Sequence, residues 1–243
     1  MRMLKIILIS LIAFLAILIV FQRKILFQPS HGSATNGLAP WMVDGRPVGF
    51  ARHAAHPKNV WLFTHGNAGQ AADRTYALHC FSDSDSVFIL EYPGYGKRAG
   101  SPGQASFDAA AKEAYLGLRK AYPNIPVCVT GESIGSGPAS SLSGLEQPPD
   151  KIVLVVPFDN LASVVRDHYP FIPAGLVMLD RWDNVEALRA YSGKVEIYGA
   201  IDDNVIPVYH ARNLAAALPA AVFHEISGGH NDWSESRTVR IRN

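Results

Sequence analysis

In the segment VCVTGESIGSG, residues 127–137, Ser133 stands two positions from a glycine on either side. That spacing suits a sharp turn from a strand into a helix, which pushes a serine hydroxyl out of the backbone and leaves no room for bulk beside it. The flanks fit such a turn. PVCVT (126–130) is a β-branched apolar run, and the small residues of IGSGPASSLSGL (134–145) let a helix lie close on a sheet. A serine placed this way attacks a carbonyl once a base takes its proton. The histidines are His31, His53, His56, His65, His79, His168, His210, His224 and His230. His230 is singled out because ISGGHNDW (226–233) follows the last apolar run and two glycines free the backbone to project it. His224 falls within a strand and His210 on a helix, positions that suit packing or surface roles.

Such a base needs a carboxylate to fix its tautomer and stabilise its charged form. YGAIDDNVIP (198–207) offers Asp202 and Asp203, with Asp159 after KIVLVVPF as a third candidate. The aspartate that does not serve is expected to cap the helix starting near Pro207. The oxyanion formed on attack needs preorganised N–H donors, and FTHGNAGQ (63–70) is a Gly-rich turn after an apolar strand. Its expected donors are the backbone N–H groups of Asn67 and, just after the serine, Ile134, with His65 organising the turn. No Lys-Ser/Thr pair follows these glycines, so the turn is not a phosphate-binding P-loop.

These loops need a scaffold that brings them together. Apolar runs at 59–65, 86–92, 126–130, 151–158, 194–199 and 221–226 read as strands of a sheet buried on both faces. WMVDGRPVGFAR (41–52) reads as a hairpin turning at Asp44-Gly45. Residues 105–122 repeat apolar side chains at helical spacing, and further helices follow Gly69, Ser133 and Pro207. Alternating strands and helices predict an α/β fold: a mostly parallel central sheet with helices on both faces and chemistry at the carboxyl ends of its strands. The stretch 158–193 leaves room for a small cap, and its YPFIPAGLVML is apolar enough to line an acyl pocket or to touch a bilayer.

Residues 1–24 hold an apolar run bracketed by Arg2, Lys5, Arg23 and Lys24, which predicts an uncleaved transmembrane anchor. No small-residue cleavage site follows at signal-peptide distance. The basic residues slightly favour an N-terminus in the cytoplasm and a domain on the non-cytoplasmic side. Residues 25–40 read as a polar linker, and 41–243 as the catalytic domain. Lys and Arg total 22 against 21 Asp and Glu, without a basic stripe, which excludes nucleic acid as the expected partner. Cys80 and Cys128 lack the spacing of a metal site and are expected as unpaired thiols.

The blocks QRKILFQP, HGNAG, EYPGYGKRAGSPGQASFDAA, TGESIGSGPA, YPFIPAGLVMLDRWDN, DDNVIP and GGHNDW, in that order over residues 22–233, resemble the α/β-hydrolase superfamily. Within it, they are most similar to membrane-anchored serine hydrolases related to serine aminopeptidase-like and bud-emergence-type proteins. The resemblance implies an α/β-hydrolase fold and a Ser133–Asp203–His230 triad, with the acid four residues before a proline, here Pro207. It implies an acyl-enzyme mechanism with no metal or organic cofactor. The expected partner is a small-molecule or lipid acyl substrate, an ester or thioester with a hydrophobic acyl group. A serine peptidase, an acyltransferase and a non-catalytic binding protein on this scaffold would share the same motifs. Two departures stand out: Arg98 replaces a small polar residue after GYG, and the segment ending RTVRIRN is shorter than the usual final helix.

Overall fold

A computed structural model describes residues 2–243, the side chains of Leu8, Leu11 and Ile12 excepted. The chain begins with helix α1 (Arg2–Leu26) and the hairpin β1 (Ala39–Val43) and β2 (Arg46–Arg52). Asp44 (φ 48°) and Gly45 (φ 75°) make its two-residue turn, both left-handed as a twisted hairpin requires. Strand β3 (Val60–Thr64), a 3-10 segment (Ala71–Cys80), β4 (Ser86–Leu90) and α2 (Gln104–Ala121) follow. Next come β5 (Val127–Glu132), α3 (Ser136–Ser141) and β6 (Lys151–Val155). The cap segment carries α4 (Leu161–His168), α5 (Ala174–Val177) and α6 (Asn184–Leu188). The chain then forms β7 (Lys194–Ala200), α7 (Tyr209–Ala217) and β8 (Val222–Ile226).

The described residues form an eight-stranded sheet in the order β1-β2-β4-β3-β5-β6-β7-β8. Strands β3 to β8 run parallel, and β1 and β2 pair antiparallel at one edge. Alternate residues of each strand face opposite sides, so the apolar runs feed two cores. Val60, Leu62, Val127 and Val129 pack toward α2, α3 and the cap, whereas Trp61, Phe63 and Cys128 pack toward the 3-10 segment and the C-terminal residues. After β3 the chain first builds β4 on one side and then returns to build β5 on the other. A crevice therefore opens at the carboxyl ends of β3 and β5, where the order reverses.

The expected transmembrane segment continues as the single helix α1, two residues beyond the expected boundary at 24. Among the described residues, however, no helix is long and apolar enough to cross a membrane, so the transmembrane helix expected from the sequence is not met. Three of the apolar side chains that would fill such a span, Leu8, Leu11 and Ile12, lie outside those described. The segment read as a polar linker is docked at its start. Phe27 is buried with its ring 5.2 Å from that of Phe107, and Pro29 bridges Gly69, with Ser30 N donating to Gly69 O at 2.9 Å. Past β8 a short 3-10 turn (Trp233–Glu235) replaces a long final helix, and buried Val239 and Ile241 cover the sheet beside Phe81. Cys80 and Cys128 are both buried free thiols. Arg98 binds Glu91 O at 2.8 Å and Glu113 Oε2 at 3.2 Å, away from the crevice.

Candidate active site

Ser133 follows the last residue of β5 with φ +52°, a left-handed conformation that costs a residue with a Cβ about 1–2 kcal/mol. Its neighbours explain how the turn is held. A Cβ on Gly131 would lie 2.7 Å from the Ala139 Cβ, and one on Gly135 would overlap the Thr64 carbonyl of β3. Small residues are thus required on both sides of the serine by close approach of backbone, the condition read from the motif.

The turn aims Ser133 Oγ at His230 Nε2, 2.8 Å away, and His230 Nδ1 lies 2.7 Å from Asp203 Oδ2. A carboxylate at Nδ1 selects the tautomer with the proton there, leaving Nε2 to accept from the serine hydroxyl. The other Asp203 oxygen accepts from the N–H groups of Val205 (2.9 Å) and Ile206 (2.7 Å), which fixes the carboxylate plane. Asp202, just before it in the chain, is exposed, and Asp159 is taken up by His210 at 2.7 Å. Of the three candidate acids, Asp203 alone is brought to His230. Of the other candidate bases, His224 bonds Glu196 at 2.9 Å, and His65 is fully buried with Nδ1 2.7 Å from Gly66 O.

Asn67 and Ile134 both line the cavity in front of Ser133. The Asn67 side chain is already committed: Oδ1 accepts from Tyr95 Oη at 2.9 Å, and Nδ2 donates to Leu26 O at 2.5 Å. The cavity holds about 360 Å³, and Leu26, Phe158, Leu161, Val164, Val165 and Ile206 give it an apolar wall.

Beneath the turn lies a polar network that sequence reasoning missed. Glu132, adjacent to the serine and buried, accepts from Gly66 N (2.9 Å), Tyr76 Oη (2.6 Å) and Trp233 Nε1 (2.9 Å). One carboxylate thereby joins the loop after β3, the serine turn and the loop carrying His230. Burial alone would push its pKa up, but the Arg74 charge and the three donors hold it below the usual range. Arg74 donates to Tyr76 Oη at 3.2 Å and to the Gly66 and Ala68 carbonyls, which ties the charge into the same loop. The signal available in the sequence was an acidic residue ending an otherwise apolar strand.

No family model matches the sequence. An uncharacterized protein of Mycobacterium tuberculosis is 28% identical over 231 residues, covering 87% of this chain and 81% of the relative. The lysophosphatidylserine lipase ABHD12 of Gallus gallus is 28% identical over 181 residues, 66% of this chain. This chain spans about half the length of that lipase, 47% of it. Among solved structures, an esterase of Pyrococcus furiosus superposes with a TM-score of 0.62 at 12% identity, covering 84% of this chain and 90% of the esterase.

Proposed function

We propose, from the premise that this chain is an α/β hydrolase, that it is a membrane-associated serine hydrolase cleaving an ester or thioester of a hydrophobic acyl group. The observation that carries the reading is the unbroken line Asp203–His230–Ser133 at the mouth of an apolar cavity. In this mechanism Ser133 Oγ bonds to the acyl carbon while its proton passes to His230 Nε2, and Asp203 stabilises the imidazolium. The negative oxygen is held by the N–H groups of Asn67 and Ile134. Collapse of that intermediate expels the alcohol or thiol, which takes the proton from His230. Water then repeats the sequence on the acyl-enzyme and regenerates the serine. These steps use side chains and backbone of this chain throughout.

The membrane part of the proposal is supported by exposed apolar surface. Helix α1, 25 residues and about 37 Å long, leaves Phe14, Ile17, Val20 and Phe21 exposed. The cap adds Phe171, 97% exposed, and Leu176, 87% exposed. Large exposed apolar side chains on adjacent elements are what a lipid phase covers. The lysophosphatidylserine lipase among the relatives agrees with a lipid-like acyl substrate.

The test is labelling with a fluorophosphonate probe, which requires an activated serine. Wild-type protein is expected to label and Ser133→Ala to lose labelling with an unchanged thermal melt; equal labelling of the two rejects the assignment. The protein is expected to co-sediment with phospholipid vesicles, and failure to do so would reject the membrane association.

A further inference from the structure

Resting on the reading of Ser133 as the acyl-accepting serine, we infer that the substrate's alkyl chain leaves the Ser133 cavity past Leu26. It then lies in a groove between α1 and the cap, so that the N-terminal helix is itself a wall of the acyl site. A second cavity of about 320 Å³ lies there, lined by Leu18, Ile25, Ile172, Val177 and Met178. Leu26, Val165 and Tyr169 line both cavities, which makes the two apolar surfaces continuous.

The groove is built rather than incidental. Leu15, Leu18, Gln22 and Leu26 are the half-buried residues of α1's second half, spaced to form one stripe toward the domain. The one amide side chain in the groove lining, Gln22, is satisfied: Nε2 donates to Val177 O at 3.0 Å and Oε1 accepts from Leu179 N at 2.7 Å. Arg23 holds Asp180 through two bonds of 2.8 and 2.9 Å, and Asp180 also accepts from Gln104 N at 2.7 Å. These contacts fasten the end of α1 to the cap and to the start of α2.

The lining selects the occupant. No charged side chain faces the groove among the described residues, and a peptide there would leave its N–H and C=O groups unpaired. A hydrocarbon chain has no such cost. From Leu26 back to Leu18 the helix rises about 12 Å, so the groove extends the site well beyond the serine cavity and fits one long acyl chain. The substrate class is therefore an ester or thioester carrying a single long acyl chain in this groove.

The experiment uses full-length protein in detergent and p-nitrophenyl esters from butyrate to palmitate. Wild-type kcat/KM is expected to rise about fourfold per methylene until the groove is filled. Val177→Trp and, from the opposite wall, Leu18→Trp should each lower the ratio of kcat/KM for palmitate to that for butyrate by tenfold or more. A ratio unchanged in both folded variants overturns the inference. A second readout needs no catalysis: fluorescence of dansyl-undecanoic acid bound to full-length Ser133→Ala protein, expected to weaken about tenfold when Val177→Trp is added. Equal binding overturns the groove. Weakened binding in a protein whose wild type hydrolyses no ester keeps the groove and rejects the hydrolase reading instead.

Discussion

His230 and His210 each place Nδ1 2.7 Å from an aspartate, Asp203 in one case and Asp159 in the other. They differ at Nε2. His230 meets the Ser133 hydroxyl at 2.8 Å, whereas His210 meets a second carboxylate, Asp167, at 2.8 Å. Carboxylates at both nitrogens favour N–H donors on both, so these contacts favour the imidazolium form of His210, which has no lone pair to offer. Burial would lower its pKa, but the bonds and charge of Asp159 and then Asp167 more than offset this and raise it. His210 thus clamps α7 to the cap helix α4 and to the loop after β6. The pair shows that a histidine beside an aspartate is not by itself a base. The group at the second nitrogen decides whether a proton can move.

The largest effect expected separates the serine-facing arrangement from its surroundings. Asp203→Asn keeps an oxygen for the Val205 and Ile206 N–H groups but turns an NH2 toward His230 and selects the wrong tautomer. Turnover of a p-nitrophenyl ester should fall by up to about four orders of magnitude at neutral pH. Asp202→Asn, at an exposed carboxylate, should change the rate little and cost less than about 1 kcal/mol. A collapse in Asp202→Asn alone would break the assignment of the acid.

A smaller effect is expected at Glu132, where a carboxylate supports the site without touching substrate. Glu132→Gln presents an amide N–H toward groups that themselves donate and leaves Arg74 without its compensating charge. The expected cost is about 3 kcal/mol, a fall in Tm of about 6–12 °C, with a lower kcat. A melt equal to wild type would show that the network does not hold the loops.

The smallest effect should come from the histidine that moves no proton. His210→Gln should lower stability by about 2 kcal/mol, or about 4–8 °C in Tm, with ester turnover near wild type. Because its folded pKa is raised, the contribution of His210 is fully present below about pH 6.5 and is lost as pH rises through the raised value. For Asp159, burial would raise the pKa, but the bonds from His210, Asn213 and the Asn160 N–H lower it. Its contribution is present above about pH 3.9 and is lost as pH falls through the lowered value. Melting curves should therefore show a larger gap between wild type and His210→Gln near pH 5.5 than near pH 9. A large loss of turnover with an unchanged melt would place His210 in the chemistry and undo the comparison.

The strands, the hairpin and the serine turn were legible in the sequence because their causes are local. Alternate burial makes continuous apolar runs, Asp44-Gly45 supplies left-handed turn residues, and Gly131 and Gly135 admit backbone that any Cβ would exclude. The chain order of serine, aspartate and histidine was visible for the same reason, since each ends or follows a strand. What tertiary structure alone decided depends on partners far apart in the chain. His230 meets Ser133 across 97 residues, Trp233 meets Glu132 across 101, and Arg23 meets Asp180 across 157. Asp202 and Asp203 are chemically alike and adjacent, but one is exposed and the other buried, which no composition reveals. Likewise, α1 reads by itself as an apolar segment, and only its docking on residues 165–178 gives it a face toward a groove, because which side of a helix is covered is settled by what packs against it.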